Sequence, residues 1–317
     1  MVSDPEGLTP PPDTASLDVA PMITKRLYSW PGLLLTLTAV FWAGHTVAAR
    51  LAVGEIPPFM LTTLRWIAVA AVLWPFYGAE IRKAWPQIRP RLGGIVWLAV
   101  AGMTGFNALY YFAAHYTSAI NIGILQGSLP IFVLAGAWLA HGARASLVQW
   151  VGVLITALGV VVVATRGTPL SILEVDLNTG DLAMVAACAV YAAYTVALRD
   201  RPDMPATAFF ALLALIAAVT SLPLLALEVY AGGLRMPTAN GLLITVWIAI
   251  FPSFLAQIFY LRGVDLIGPG RAGVFVNLVP VFAAAMAVVL IDEPFAAFHA
   301  VALVLVIGGI WLAQRTA

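Results

Sequence analysis

The sequence has few charged residues: Asp, Glu, Lys and Arg together make up only 10% of its 317 residues. Soluble globular domains carry roughly a quarter charged residues, so this scarcity excludes a soluble protein. Apolar residues make up 62% of the chain, the mean hydropathy is +0.96, and apolar runs of about 20 residues recur along it. This pattern is typical of a helical protein that crosses a membrane many times, and it leaves no room for a large domain outside the membrane.

Cysteine is nearly absent. Cys188 stands alone, which excludes a disulfide within the chain and a cysteine-based metal site. No Asp or Glu falls in the middle of an apolar run, which argues against cation export driven by an intramembrane carboxylate. The sequence also shows no histidine paired with a nearby carboxylate, no activated nucleophile and no basic patch with interleaved aromatic residues. We therefore predict no enzyme, no cofactor, no metal and no nucleic-acid partner.

The apolar runs predict an all-α integral membrane protein with ten transmembrane helices. Breaks rich in proline, glycine or charge separate the runs. Residues 1–28 are polar, contain several prolines and lack the order of a signal peptide, so we predict a loose N-terminal tail. The predicted spans are 31–50, 58–77, 93–114, 118–140, 146–165, 181–199, 206–229, 241–262, 270–291 and 296–314.

Lysine and arginine are distributed unevenly between the two sets of loops. With the N-terminus inside the cell, the inner loops hold eleven of these residues and the outer loops hold three. Cytoplasmic loops carry the excess of positive charge, so we predict that both termini are cytoplasmic. The three outer residues are Arg50, Arg166 and Arg235.

The second half of the sequence repeats the first. A shift of 150 residues superposes spans 3 to 5 on spans 8 to 10, and a shift of 149 superposes span 1 on span 6. We predict one transmembrane domain made of a five-helix repeat at 29–165, a linker loop at 166–180 and a second repeat at 181–317. Because five is odd, the second repeat is inverted in the membrane. The matching pairs include Trp97 with Trp247, Asn107 with Gln257, Tyr110 with Tyr260, Pro130 with Pro280, and His45 with Tyr194.

Inverted repeats place a substrate site near the middle of the membrane, beside helices that proline or glycine interrupts. Pro130 and Pro280 fall near the middle of spans 4 and 9, so we predict that they are hinges. Polar and aromatic residues on the surrounding helical faces are the candidates for substrate binding. These candidates are Trp42, His45, Asn107, Tyr110, Gln126, Tyr191, Tyr194, Gln257, Tyr260 and Asn277.

Alternative interpretations of these residues stay open. The amides could form hydrogen bonds between helices, and His45 could be a packing residue whose hydrogen bonds are satisfied. Arg65 lies seven residues into span 2, where it could attract a substrate carboxylate. Snorkelling or binding of carbonyl groups at the outer end of the bundle is the favoured interpretation for Arg65. The glycines of spans 5 and 10 could serve packing within the chain or a dimer contact.

Four sequence features, spread over residues 30–315, are similar to those of a known protein family. They are Phe41-Trp42-Ala-Gly-His45-Thr46, Leu64-Arg65, the prolines Pro130 and Pro280, and Asp292-Glu293-Pro294. Together they resemble the drug/metabolite transporter superfamily of the EamA type. The resemblance implies ten helices in two inverted repeats, and the bacterial relatives include exporters of amino acids, aromatic ones among them. One departure is His141-Gly-Ala-Arg144, because the family often has a Glu in this turn before helix 5.

The resemblance implies a transporter of the bacterial cytoplasmic (inner) membrane. A neutral wall of aromatic residues and amides offers stacking and hydrogen bonds, so the predicted substrates are small neutral or zwitterionic metabolites, with amino acids first. Anionic metabolites or sugar conjugates, and lipids moved by a flippase, are the alternatives. His45 is the only deeply placed group that titrates near neutrality, so we expect alternating access by uniport. The expected partners are a small-molecule substrate and the lipid bilayer, and monomer and homodimer both stay open.

Overall fold

Every regular element of the described residues is helical, which confirms the predicted fold class. The predicted tail at 1–28 and residues 169–177 of the predicted linker lie outside the described residues. The computed structural model describes residues 29–142, 146–168, 178–198, 201–233 and 235–313.

Ten helical segments correspond in position to the ten predicted spans. We number them in chain order. They are α1 (Pro31–Leu51), α2 (Pro58–Ile88), α3 (Leu92–Ala99, Val100–Gly105 and Phe106–Tyr116), α4 (Ala119–Gln126 and Leu129–His141), α5 (Leu147–Ala164), α6 (Thr179–Ala197), α7 (Ala206–Tyr230), α8 (Ala239–Ile248, Ala249–Leu255 and Ala256–Ile267), α9 (Pro269–Val276 and Val279–Ile291) and α10 (Ala297–Ala313).

The lengths of the helical stretches account for the ten spans. In the described part of the chain, eight stretches are long and apolar enough to cross a membrane, and the shorter apolar helix α10 has 17 residues. One of the eight stretches, Pro58–Tyr116, has 59 residues and holds both α2 and α3. The chain reverses direction at the 3-10 turn Arg89–Arg91. The evidence is a hydrogen bond from Arg65 in α2 to Tyr111 in α3, two residues that lie 46 positions apart in the sequence. This stretch therefore supplies two antiparallel segments.

The two repeats interlock instead of forming separate bodies. Equivalent helices meet where α2 packs against α7 and α5 packs against α10. The first helix of each repeat packs against the third and fourth helices of the other, so α1 contacts α8 and α9, and α6 contacts α3 and α4. This arrangement follows from the pseudo-twofold relation between inverted repeats.

Glycine brings α5 and α10 unusually close together. A Cβ atom at Gly152 or at Gly309 would lie 2.6 Å from the carbonyl oxygen of the other residue. A Cβ atom at Gly159 would lie 2.8 Å from a methyl group of Val306. Small residues allow such approaches between helices in a membrane, so these three glycines serve packing within the chain.

Both α4 and α9 are broken into two half-helices. In α4 the helix stops at Gln126 and resumes at Leu129, and α9 has the same break at the equivalent place. The interruptions lie beside Pro130 and Pro280, the two predicted hinge residues. Both prolines lie in the first turn of the second half-helix. The lack of an N–H costs nothing there, since first-turn N–H groups have no partner within their helix.

A second irregularity occurs at equivalent positions of α3 and α8. Each contains a π-helical turn, at Val100–Gly105 and at Ala249–Leu255. Such turns insert extra residues into a helix and redirect the side chains that follow, often at functional sites. The repeat-related amides Asn107 and Gln257 each follow one of these turns by two residues.

Candidate functional site

A cavity of about 420 Å³ lies between the two repeats, beside the breaks in α4 and α9 and the π turns of α3 and α8. Its wall is formed mainly by apolar and aromatic side chains, with amides interspersed. The predicted residues that line it are Trp42, His45, Asn107, Gln126, Pro130, Tyr191, Gln257, Asn277 and Pro280.

Three predicted tyrosines lie behind the wall of the cavity and do not line it. Each packs its ring against the ring of a residue in the wall, so each supports a lining residue. Their direct contact with substrate stays a prediction. The ring centroids are 4.8 to 5.4 Å apart in the pairs Tyr110 with His45, Tyr194 with Tyr191, and Tyr260 with Trp42.

Arg65 lies in the wall of this cavity, and the favoured sequence interpretation of it is wrong. Its side chain is 6% exposed and binds other side chains, not carbonyl groups at the end of the bundle. Arg65 Nε donates to Ser253 Oγ at 2.8 Å, and Nη1 donates to the Tyr111 hydroxyl at 2.7 Å. Nη1 also donates to Asn107 Oδ1 and lies 3.2 Å from His45 Nε2. We call these five residues the Arg65 cluster.

The Arg65 cluster contains a positive charge and no negative one. No carboxylate of the described residues lies within 4.0 Å of the Arg65 guanidinium. The two N–H groups of Nη1 are used by Asn107 Oδ1 and the Tyr111 hydroxyl, and His45 Nε2 lies closer to that hydroxyl, at 2.8 Å, than to Nη1. Two positive charges this close repel each other, so His45 is a neutral imidazole. The cluster is therefore a buried cation held by neutral side chains.

The π turn of α8 shapes one side of the site. Ser253 lies in this turn, and its Oγ donates to the carbonyl oxygen of Ile248 at 2.6 Å. Trp42 Nε1 donates to the carbonyl oxygen of Pro252, in the same turn, at 3.2 Å. This contribution of Pro252 was not predicted from the sequence. The signal that could have found it is the proline itself, because a proline inside a helical run marks an irregular backbone.

Gln126 adds an unmatched polar atom to the wall. It is the last residue of the first half of α4, and its side chain lines the cavity. Among the described residues, its buried Oε1 atom has no hydrogen-bond partner. Buried polar atoms are nearly always hydrogen-bonded, so this exception calls for an explanation.

The cavity lies nearer to one end of the bundle. We call the end where α1 begins and α10 ends the terminal end, and the other the opposite end. From α9, which begins at the terminal end, Gly273 and Val276 line the cavity, but residues 281–291 do not. From α6, Tyr191 and Thr195 line it, but residues 179–190 do not. The cavity therefore extends from the middle of the bundle toward the terminal end.

A second cavity, of about 500 Å³, lies at the opposite end and is lined by loops and helix ends. Two of its charged groups, Arg50 and Glu293, already have partners within the protein. Arg50 Nη1 donates to the carbonyl oxygen of Ala114 at 2.8 Å, and Arg50 Nε lies 4.0 Å from the Glu293 carboxylate. The cavity between the repeats is therefore the better candidate site.

Comparisons with known proteins agree with this architecture. The sequence profile of the EamA-like transporter family matches the chain twice, at residues 29–165 and 178–314. An uncharacterized transporter of Archaeoglobus fulgidus is 26% identical over 88% of this chain and 96% of its own length. The uncharacterized transporter YetK of Bacillus subtilis is 23% identical over 92% of this chain and 88% of its own length. A protein of known crystal structure with 22% identity shares the fold, with a TM-score of 0.60 over 88% of this chain and 95% of that one.

Proposed function

Because the chain belongs to the EamA-like transporter family, and is therefore a membrane transporter, we propose that it carries small zwitterionic or neutral metabolites, with amino acids first among them. The observation that carries this proposal is the cavity between the repeats. Its volume of about 420 Å³ is within the range of small-molecule sites. Its wall combines the aromatic rings of Trp42, Phe106 and Tyr191 with several amides, which suits a substrate that stacks and forms hydrogen bonds.

The transport cycle we propose is alternating access. The buried residues Thr46, Tyr110 and Tyr111 lie between the cavity and the opposite end. A substrate that enters from the terminal end can leave at the opposite end only if the repeats rock against each other. We propose the breaks in α4 and α9, with Pro130 and Pro280 beside them, as the flexure points.

We propose transport without an obligatory ion. Among the described residues, no Asp or Glu lines the cavity, and His45 is a neutral member of the Arg65 cluster. A proton-coupled carrier needs a group that changes its charge during the cycle. The wall of the cavity offers no carboxylate for this purpose, so net movement should follow the substrate gradient.

We propose that the terminal end faces the cytoplasm, as the eleven-to-three distribution of Lys and Arg predicts. In that orientation the cavity is reached from inside the cell, which fits a protein that exports its substrate across the cytoplasmic membrane.

Uptake of radiolabelled amino acids into proteoliposomes tests the proposal. We expect the protein to speed equilibration of at least one amino acid relative to protein-free liposomes. Asn107→Leu and Gln257→Leu should reduce transport severely, since leucine fills the space but removes the donor and the acceptor. Val304→Ala is the control, because Val304 is 73% exposed on the outside of α10. Wild-type transport by both amide variants would contradict the site, and no transport of any amino acid would contradict the substrate.

Anionic metabolites are the second candidate class of substrate. The observation that favours them is Arg65, which brings a buried positive charge into the cavity with no acidic partner among the described residues. A dicarboxylate or a phosphate ester transported faster than every zwitterion, in the same proteoliposome assay, would favour this class.

A further inference from the structure

The hydrogen bonds of the buried Arg65 guanidinium are incomplete. A guanidinium has five N–H groups, but the hydrogen bonds of Arg65 use only Nε and Nη1. Among the described residues, Nη2 has no hydrogen-bond partner, although the side chain is largely buried and lines the cavity. One edge of the guanidinium therefore stays available for a group that is not part of the protein.

The surroundings of Arg65 hold the guanidinium in place without neutralising it. The other members of the Arg65 cluster are uncharged, and Cζ of Arg65 lies 4.9 Å from the ring centroid of Trp66. The ring and the hydrogen bonds fix the plane of the guanidinium. A cation buried inside a membrane without a counterion is costly and is normally retained for function. The counterion that would offset this cost has to come from outside the described residues.

A second unmatched atom lines the same cavity. Gln126 Oε1 is a buried acceptor without a hydrogen-bond partner in the described part of the chain. Arg65 therefore offers a charged donor and Gln126 offers a neutral acceptor. The complementary groups on a small molecule are an acidic group, which accepts from Arg65, and an N–H group, which donates to Gln126.

We propose that Arg65 binds the carboxylate of the transported substrate and that Gln126 accepts a hydrogen bond from an N–H group of the same molecule. This assignment rests on the proposed function and narrows the substrate to small molecules with a carboxylate; α-amino acids carry both of the required groups. The planar guanidinium matches the geometry of a carboxylate, and such charge-assisted hydrogen bonds are stronger than neutral ones. Loss of the carboxylate should therefore weaken binding more than loss of the amine.

Matched ligands separate the two contacts in the wild-type protein. The ligands are phenylalanine and leucine, their amides, which lack the carboxylate, and their des-amino acids, which lack the amine. Dissociation constants are measured from ligand-induced stabilisation of the purified protein. In at least one series we expect the amide to bind on the order of ten- to a hundredfold more weakly than the acid. If neither series shows a preference for the carboxylate form over the amide, the assignment is overturned.

Substitution of Arg65 tests which residue carries this preference. Arg65→Gln should bring the ratio of the two dissociation constants close to one by weakening the acid far more than the amide. Arg65→Lys, which keeps the charge, should restore part of the ratio. Arg50→Gln is the matched control and should leave the ratio unchanged, because Arg50 lines the other cavity. If Arg65→Gln weakens acid and amide equally, Arg65 only holds the helices together and the assignment is overturned.

The same ligands distinguish this assignment from the proposed function. Selective binding of a des-amino acid through Arg65, with no transport of any amino acid, would overturn the proposed substrate and support the assignment. Transport of amino acids and their amides at equal rates would support the proposed function and overturn the assignment. If Arg65→Gln does not fold, the ligand series in the wild-type protein still decides.

Discussion

The two ends of the bundle are held in different ways, and the opposite end is the better secured. There, Glu228 of α7 accepts hydrogen bonds from the first backbone N–H groups of α2, at 3.1 and 2.9 Å. Glu293, in the turn before α10, does the same for the first half of α4, at 2.8 and 3.0 Å. A helix N-terminus has unpaired N–H groups and a partial positive charge, so a carboxylate stabilises it. Both contacts join the second repeat to the first.

The terminal end has no equivalent contact among the described residues. No residue of the second half of α4, Leu129–His141, is buried. The repeat partner of Glu293, found 150 residues earlier, is Ala143, which has no carboxylate and lies outside the described residues. The departure from the family pattern before helix 5 therefore falls where an acid would correspond to Glu293.

This difference shows how two related repeats produce an asymmetric structure. If both repeats carried the acid, helix N-termini at both ends could be capped in the same way. Because such carboxylate contacts occur only at the opposite end among the described residues, closure of that end is stabilised, and the cavity extends toward the terminal end. In the proposed alternating-access cycle, we expect both carboxylate contacts to break each time the opposite end opens.

Removal of both carboxylates, of Glu228 and Glu293, should have the largest effect on the difference between the two ends. Glu228→Ala combined with Glu293→Ala removes several charge-assisted hydrogen bonds, each contributing about 1.5–3 kcal/mol. In a Cys188→Ala background we introduce Thr46→Cys, at a residue buried just beyond the part of α1 that lines the cavity. An impermeant thiol reagent at the opposite end should label it at least about tenfold faster in the double variant.

The control for this experiment is Glu80→Ala, which removes an exposed carboxylate from α2 and should leave the labelling rate of Thr46→Cys unchanged. Equal labelling with and without Glu228 and Glu293 would show that these residues do not hold the opposite end closed.

Glu293→Gln alone should have an intermediate effect. Glutamine keeps one acceptor oxygen for the first turn of α4 but loses the charge. Charged acceptors form hydrogen bonds about twice as strong as neutral ones, so we expect labelling of Thr46→Cys to rise about fivefold. Glu293→Asp, which keeps the charge on a shorter side chain, is the comparison variant. An effect as large as that of the double alanine variant would show that Glu228 contributes nothing.

Ala143→Glu should make the two ends more alike. Its effect on the rate of cysteine labelling should be smaller than that of Glu293→Gln. It supplies the turn before α5 with the acid that Glu293 supplies before α10. A carboxylate near a helix N-terminus contributes about 0.3–1 kcal/mol, so labelling of Val133→Cys from the terminal end should fall about two- to fivefold. Val133 lines the cavity on that side. Ala143→Gln is the control, and an equal fall with glutamine would contradict the electrostatic explanation.

His45→Gln should have the smallest effect, because His45 lies between the two ends and is a neutral hydrogen-bonding residue. Glutamine can still accept a hydrogen bond from Arg65, so transport should stay within about twofold of the wild-type rate. The measurement is amino acid movement into proteoliposomes with and without an imposed pH gradient. Concentrative uptake that a protonophore and His45→Gln both abolish would show proton coupling through His45.

The ten spans and the two repeats were predictable because a membrane restricts the backbone so strongly. A long apolar segment in lipid must satisfy its hydrogen bonds internally, and the α-helix does so within one segment. The repeat was visible because coincident Trp, Tyr and Pro residues are rare by chance. The breaks in α4 and α9 were predicted near the correct prolines, but their form was not, since a proline in a first turn and one in a helix interior have the same sequence signal.

The direction of individual side chains was not predictable to the same degree. Tyr110 and Tyr111 are neighbours in α3, yet Tyr110 lies behind the wall while Tyr111 hydrogen-bonds to Arg65. Consecutive helical residues point about 100° apart, so the rotation of α3 decides which of the two faces Arg65. The π turn just before them, which the sequence analysis did not predict, contributes to that rotation.

The sequence by itself determined the membrane class, the ten spans, the inverted repeat and the acid missing at Ala143, because these follow from composition and from comparison of the chain with itself. The tertiary structure alone decided the surroundings of Arg65 and the difference between the two ends. The partners of Arg65 lie between 20 and 188 residues away in the chain. Such contacts depend on how helices of both repeats cross and rotate against one another, and no local pattern of residues encodes that.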